Sequence, residues 1–322
     1  MLPRSKVTFA VGLVALLMGV DRLAAQSVTL EELVGNIDSS VLTNLDLSLL
    51  PSFTGLDEQQ LRTLCRELQR RLQGEYVLDL APLREMANAL LPVLDKQEDL
   101  KPYAAWLRTR LDYLAVADEL RVKIPPPSPD LKIAVPSQAN PSAEAERQVW
   151  REHLKIGELS GQPDLTAGAR LYSERLKTVF REEGVPTELV WLAEVESGFD
   201  PRARSPMGAA GLFQLMPDTA EIMGLTLSPR DERFDPLKSA RSSAQYLKYL
   251  YGKFGDWRLT MAAYNAGEGT VRRLLEKHRA HTYDAIAVDL PAETQLYVPK
   301  IEAVILRRTG VFLSDLRPPR NG

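Results

Sequence analysis

Apolar residues return at helical spacing in one stretch of this chain after another. Nowhere do they alternate with polar residues for more than a few positions. Leu61, Leu64, Cys65, Leu68 and Leu72 share one face of a 3.6-residue period. Leu83, Met86, Ala87, Leu90 and Leu94 share another, which Pro92 interrupts, and Leu107, Leu111 and Leu114 begin a third. Further on, Ala240, Ala244, Leu247, Tyr251 and Phe254 form a stripe, and so do Val298, Ile301 and Ile305. A helix with one apolar face must bury it against another such face, so the chain is expected to be mainly α. The exception expected is a small β element within residues 223–234.

The punctuation between stripes divides the chain. Arg4 and Lys6, the apolar run Val7 to Val20, and Leu23-Ala24-Ala25 before Gln26 have the layout of a secretory signal over 1–25. The run is short for a bilayer span, though an uncleaved membrane anchor is the alternative. Residues 26–122 are expected to form a helical domain whose role stays open: a spacer, a platform, or a surface for a cell-envelope protein partner. Its charged residues, Arg70, Arg71, Lys96, Arg108 and Arg110 among acidic ones, are expected to be a solvated face. The prolines of 123–146 read as a linker, and 147–322 as a second helical domain. Within it, Gly184-Val185-Pro186 ends one helix, and Asp218 and Glu221 have capping-box spacing. Asp235-Pro236 opens a long helix, and Trp257 to Asn265 forms a short one.

Composition removes several classes of function. A net charge of −3 with no basic run argues against nucleic-acid binding. One cysteine, Cys65, excludes an internal disulfide and is expected to be a small buried hydrophobe. The three histidines lack metal-ligand spacing, and His278 and His281 are expected at the surface. No phosphate loop and no nucleophile elbow occurs.

The position that most resembles chemistry is Glu196. It continues the face of Leu189, Leu192 and Ala193, while Glu194 falls roughly on the opposite side, where water is the expected partner. Gly198 and Pro201 end the helix just beyond it. Burial, the negative end of the helix dipole and the lack of a Lys or Arg in that turn all raise a carboxyl pKa. A carboxyl held protonated near neutral pH suits a general acid. Periodicity alone favours a structural carboxylate bonded to backbone or to a buried arginine.

Three motifs in order extend this reading: Glu196-Ser197, Gly211-Leu212-Phe213-Gln214, and Ala263-Tyr264-Asn265-Ala266-Gly267. The series resembles the catalytic domain of soluble lytic transglycosylases, in the goose-lysozyme-like branch of the lysozyme superfamily, over about residues 165–308. Pro186-Thr187-Glu188-Leu189 and Leu290-Pro291-Ala292-Glu293-Thr294-Gln295-Leu296-Tyr297-Val298-Pro299 resemble the membrane-bound D type in particular. The resemblance implies an exported, periplasmic enzyme without a cofactor, acting on peptidoglycan glycan strands. It implies cleavage of the β-1,4 bond from N-acetylmuramic acid to N-acetylglucosamine without water, giving a 1,6-anhydro end, with Glu196 as acid and then base. Neither Glu194 nor Asp200 is expected to be a second catalytic acid.

The same resemblance assigns substrate contacts to Ser197, Ser205, Phe213, Gln214, Tyr264, Asn265 and Glu293. Ser197 would bond near the carboxyl or the sugar, or simply close a helix end. Phe213, where methionine is common in this motif, would wall a cleft. Gln214 would meet an acetamido group. Tyr264 would place its hydroxyl near the carboxyl of Glu196, whereas Asn265 would tie down its turn. Glu293 would face the cleft, and Trp191 and Trp257 would be core. A hydrolytic goose-type muramidase and a catalytically silent peptidoglycan-binding protein are the alternatives.

Overall fold

The computed structural model describes residues 56–123, 141–154 and 165–320. The expected signal segment and most of the expected linker lie outside the described residues. Eleven α-helices occur among those described, and no strand does. The expectation of a mainly α chain is met.

Helix α1, Glu58–Leu72, starts at a capping box: Asp57 Oδ1 accepts from the Gln60 amide (2.8 Å) and Gln60 Oε1 from the Asp57 amide (2.9 Å). Its apolar stripe, Leu61, Leu64, Cys65, Leu68 and Leu72, is buried as the spacing requires. Burial pushes the Cys65 thiol up to about 12, so it packs as a hydrophobe. Helix α2, Leu83–Asp95, runs straight through Pro92. The stripe from Leu83 to Leu94 stays buried, and that burial outweighs the hydrogen bond a proline cannot make. Helix α3 is Lys101–Lys123 and packs on α2.

Helix α4, Ala143–His153, is capped by Ser142 and takes up residues expected to be linker. The chain resumes at α5, Ala167–Glu182. A 3₁₀ turn, Thr187–Trp191, leads into the short α6, Leu192–Ser197, which Gly198 ends with φ of 63°. Helix α7, Pro217–Ile222, begins with proline in its first turn after Met216, so Asp218 lies inside it and the expected capping box does not form. Residues 223–234 hold turns and a 3₁₀ turn instead of the expected β element. Isolated bridges occur just before them, pairing Ala210 with Arg204 and Leu215.

Helix α8, Pro236–Phe254, opens where Asp235 Oδ1 accepts from the Leu237 and Lys238 amides (both 3.0 Å) and closes at Gly255. Helices α9, Trp257–Ala266, and α10, Glu268–His278, follow. The last helix, α11, is Ala292–Thr309. It is buried on nearly every side over 292–305, as a central helix must be, and it contacts α3, α4, α6 and α9.

The buried side chains form one continuous cluster, from Leu61 of α1 to Leu316. The helices before residue 124 therefore share a core with those after 141. Helix α3 packs against α6 and α4, and the Ala292 amide at the head of α11 donates to the Gly74 carbonyl just past α1 (2.7 Å). This places the end of α1 and the middle of α3, at Thr109 and Arg110, beside the turn that carries Glu196.

Candidate active site

Glu196 is 4% exposed, at the end of α6. Its environment is supplied from far along the chain. The hydroxyl of Tyr297, on α11, donates to Glu196 Oε1 (2.6 Å). Among the described residues nothing donates to Oε2, and its nearest cation, Arg110 Nη2 of α3, stands 3.8 Å away. Arg110 Nη1 instead donates to the Glu196 backbone carbonyl (3.0 Å) and to Thr109 Oγ1 (2.7 Å). Burial is the main force on the Glu196 carboxyl and pushes it up to about 7, against the opposing pull of Arg110 and the Tyr297 hydroxyl. The sequence-based expectation of a raised pKa is met. The cation missing from the helical turn is present in space, and it moderates the shift.

Arg110 is thus a correction: it is buried, not part of a solvated face. Its full partner is Glu293 Oε1, with Nε and Nη2 each at 3.2 Å. Gln69 (2.9 Å) and Gln73 (2.6 Å), from the end of α1, donate to Glu293 Oε2. Both oxygens of the Glu293 carboxylate are taken by protein donors and its side chain is buried, so it lies under the site. The nearby Lys300 is buried too. It donates to the Thr109 carbonyl (2.8 Å), pairs with Asp112 (3.2 Å), and locks α11 to α3. Glu194 is also corrected: Arg308 grips it through both oxygens (2.8 and 2.7 Å), so its first partner is a cation on α11 and not water.

The loop after α6 is held by its own side chains. Ser197 Oγ donates to the Ala193 and Leu212 carbonyls (3.1 and 2.9 Å), which closes the helix end onto residue 212; it does not bond the carboxyl. Ser205 Oγ accepts from the Met207 and Ala209 amides (3.3 and 3.0 Å) and fixes that turn. Gly211, at φ of 80°, lies so close to the next segment that a Cβ would stand 1.9 Å from the Arg233 carbonyl oxygen, so only glycine fits. Arg233, which no sequence motif marks, donates to the Gly208 and Leu215 carbonyls (2.7 and 2.9 Å) and clamps the loop from behind.

Phe213 is fully buried, with its ring 5.6 Å from that of Phe180, and walls no cleft here. Gln214, at φ of 46°, spends its amide nitrogen on the Ala203 and Gly211 carbonyls (3.1 and 2.9 Å). Its Oε1 is buried and has no hydrogen-bond partner among the described residues. Tyr264 does not bond Glu196. Its hydroxyl donates to the Phe213 carbonyl (2.8 Å) and lies 3.2 Å from Ser243 Oγ. Asn265 accepts from the Thr294 hydroxyl (2.6 Å) and ties α9 to α11, beyond its own turn. Trp191 and Trp257 are core, and His278 and His281 are exposed, as expected. Among the described residues no three His, Cys, Asp or Glu side chains gather as metal ligands.

The hydroxyl partner of Glu196 is therefore Tyr297, which the sequence had marked only as part of a motif. Removing it predicts a pH effect. A hydroxyl donating to a carboxylate favours the charged form. Tyr297→Phe should therefore raise the Glu196 pKa further, moving the alkaline limb of the pH–rate profile to higher pH. A limb that stays or moves down would contradict this arrangement.

Residues 177–286 match the model of the transglycosylase SLT domain. The chain is 39% identical over 145 residues to membrane-bound lytic murein transglycosylase D of Escherichia coli, covering 44% of this chain and 32% of that protein. It is 39% identical over 123 residues to the soluble lytic murein transglycosylase of the same organism, covering 35% of this chain and 19% of that protein. The chain thus spans about a third or less of these two relatives. Among solved structures, an inactive mutant of the lytic transglycosylase Slt from Pseudomonas aeruginosa aligns with 95% of this chain and 68% of its own, at 19% identity and a TM-score of 0.41. No described helix is long and apolar enough to cross a membrane.

Proposed function

From a chain that carries a transglycosylase SLT domain over residues 177–286, we propose a peptidoglycan lytic transglycosylase in which Glu196 is the single general acid and base. Its substrate is the glycan strand, cut at the β-1,4 bond from N-acetylmuramic acid to N-acetylglucosamine. Its place is the cell envelope, in keeping with the export signal expected over residues 1–25.

The observation that carries the proposal is one buried carboxyl with one oxygen spoken for. Tyr297 holds Oε1 and so orients the group, while Oε2, free of donors among the described residues, carries the acidic proton. With the carboxyl pushed up to about 7, a large share of the protein is protonated at neutral pH. Oε2–H passes its proton to the glycosidic oxygen, the bond from that oxygen to C1 of muramic acid breaks, and the N-acetylglucosamine end leaves as an alcohol. The carboxylate left behind takes the proton of the muramic C6 hydroxyl as O6 bonds to C1. The acid is restored, and no water is consumed.

Two-carboxylate glycosidases need a second group as nucleophile or to activate water. The acidic neighbours that could serve are occupied: Glu293 by Gln69, Gln73 and Arg110, and Glu194 by Arg308.

The test is mass spectrometry of muropeptides released from purified peptidoglycan. Anhydro-muramyl ends are the expected result. Reducing ends would mean a hydrolytic muramidase, and no release by a protein that still sediments with peptidoglycan would mean a binding protein.

A further inference from the structure

Helix α8 carries a row of tyrosines that the mechanism above does not use. The row begins at the site. Ser197, next to Glu196, bonds the Leu212 carbonyl, and Tyr264 bonds the next carbonyl, that of Phe213. Tyr264 is near enough to Glu196 for the carboxylate to help hold its phenol far above the ordinary range, after burial as the main cause. The Tyr246 ring lies 5.5 Å from that of Tyr264, tilted by 48°. The Tyr249 ring follows at 6.3 Å, nearly parallel to Tyr246 at 13°. Exposure rises outward: Tyr264 and Tyr246 are half-buried, and Tyr249 is 42% exposed. Beyond it, Lys253 Nζ stands 5.1 Å from the Tyr249 ring centre.

This row is held rigidly. Tyr246 and Tyr249 are three residues apart on a nineteen-residue helix, hence on adjoining positions of one face. The hydroxyls of Ser243 and Tyr264 lie within hydrogen-bonding distance, which fastens that helix to the site. Tyr246 also packs against the core, whereas Tyr249 is 42% exposed and is not among the side chains packed against that core. An exposed ring stacked nearly parallel on a half-buried one that leads to a site marks a binding surface. The C–H faces of pyranose rings are apolar and flat, and they stack on phenol rings as other apolar groups do, while the sugar hydroxyls stay in water.

We propose that Tyr246 and Tyr249 form a stacking shelf that binds the glycan strand beyond the cleaved bond, with Lys253 at its outer end. The proposal rests on the reading of this chain as an enzyme of glycan strands, and extends it from one reacting bond to a chain-length preference. A ligand that reaches only Glu196 and Tyr264 gains nothing from the shelf, whereas a longer strand does.

The experiment compares the unchanged protein with Tyr249→Ala and Tyr249→Trp on two substrates, long uncross-linked peptidoglycan strands and a peptidoglycan tetrasaccharide. Sedimentation with insoluble peptidoglycan is measured alongside. Stacking worth about 0.5–1.5 kcal/mol corresponds to a change of roughly 2- to 12-fold. Tyr249→Ala should raise KM on long strands and weaken sedimentation by that factor, with kcat unchanged and the tetrasaccharide unaffected. Tyr249→Trp should restore both. Equal KM and equal sedimentation in the alanine variant would overturn the shelf, as would an equal loss on both substrates or a loss that tryptophan fails to rescue. If the unchanged protein cleaves neither substrate, the enzymatic reading falls, and sedimentation alone then decides for or against the shelf.

Discussion

Replacing Glu196 with glutamine will lower turnover of peptidoglycan by roughly 10²- to 10⁴-fold, the range for loss of a positioned general acid, and will make the fold more stable above neutral pH. Glutamine keeps the shape of the protonated carboxyl, and its oxygen can still accept from Tyr297, but it has no proton to give. The stability effect follows from burial. The carboxyl, ordinarily near 4.5, is pushed up to about 7 in the folded chain. Between those values the folded chain holds a proton that the unfolded chain releases, so stability falls as pH rises through that window. The accumulated penalty is roughly 3 kcal/mol above pH 7, and a neutral glutamine does not incur it. Thermal unfolding should show the variant melting higher than the parent above pH 7, with the difference gone below about pH 4.5. Activity of the parent should be level below about pH 7 and decline above it, because the acid must be protonated to act. A variant that melts lower at alkaline pH, or that keeps its turnover, would remove Glu196 from the role given to it.

Arg110→Met will cost about 3–5 kcal/mol of folding stability, the range for leaving one member of a buried ion pair without its partner. The guanidinium lies between two buried carboxyl groups and bonds the backbone carbonyl of Glu196. Without it Glu293 retains only Gln69 and Gln73. Urea unfolding measures the loss. The double variant Arg110→Met with Glu293→Leu should recover much of it, since burying two apolar side chains in place of a pair is often neutral or favourable. Arg110 also draws the Glu196 pKa downward, so its removal should shift the alkaline limb of activity to higher pH. If Arg110→Met unfolds at the parental urea concentration, the pair is not what joins α3 to the site.

The second prediction concerns a residue that sequence reading had set aside. Arg110 stands among Arg108, Asp112 and other charged positions, and such a run is usually a solvated face. Here α3 is buried on several sides at once, so the rule for a two-sided helix does not apply to it. Glu194 was misread for a related reason. It does point away from Glu196, but on the opposite side of this six-residue helix it meets Arg308 of α11 as well as water. Phe213 was expected in a cleft wall because its motif borders the site. The backbone reverses at Gln214, and the ring turns inward onto Phe180.

What this sequence determined by itself was local. Stripes at three and four residues placed the helices, and Asp235-Pro236 and Gly198 marked two of their ends, because a cap or a left-handed turn depends only on its immediate neighbours. The burial of Glu196 at a helix end was legible for the same reason. Tertiary structure alone decided what meets it. Tyr297 is 101 positions away, and the Arg110 bond to the Glu196 carbonyl spans 86. The contact of Gln69 with Glu293 spans 224. No period or cap links residues so far apart. They converge because α1, α3, α6 and α11 bury their apolar faces in one core, and it is that shared burial which sets the charge, the hydrogen bond and the acidity of the Glu196 carboxyl.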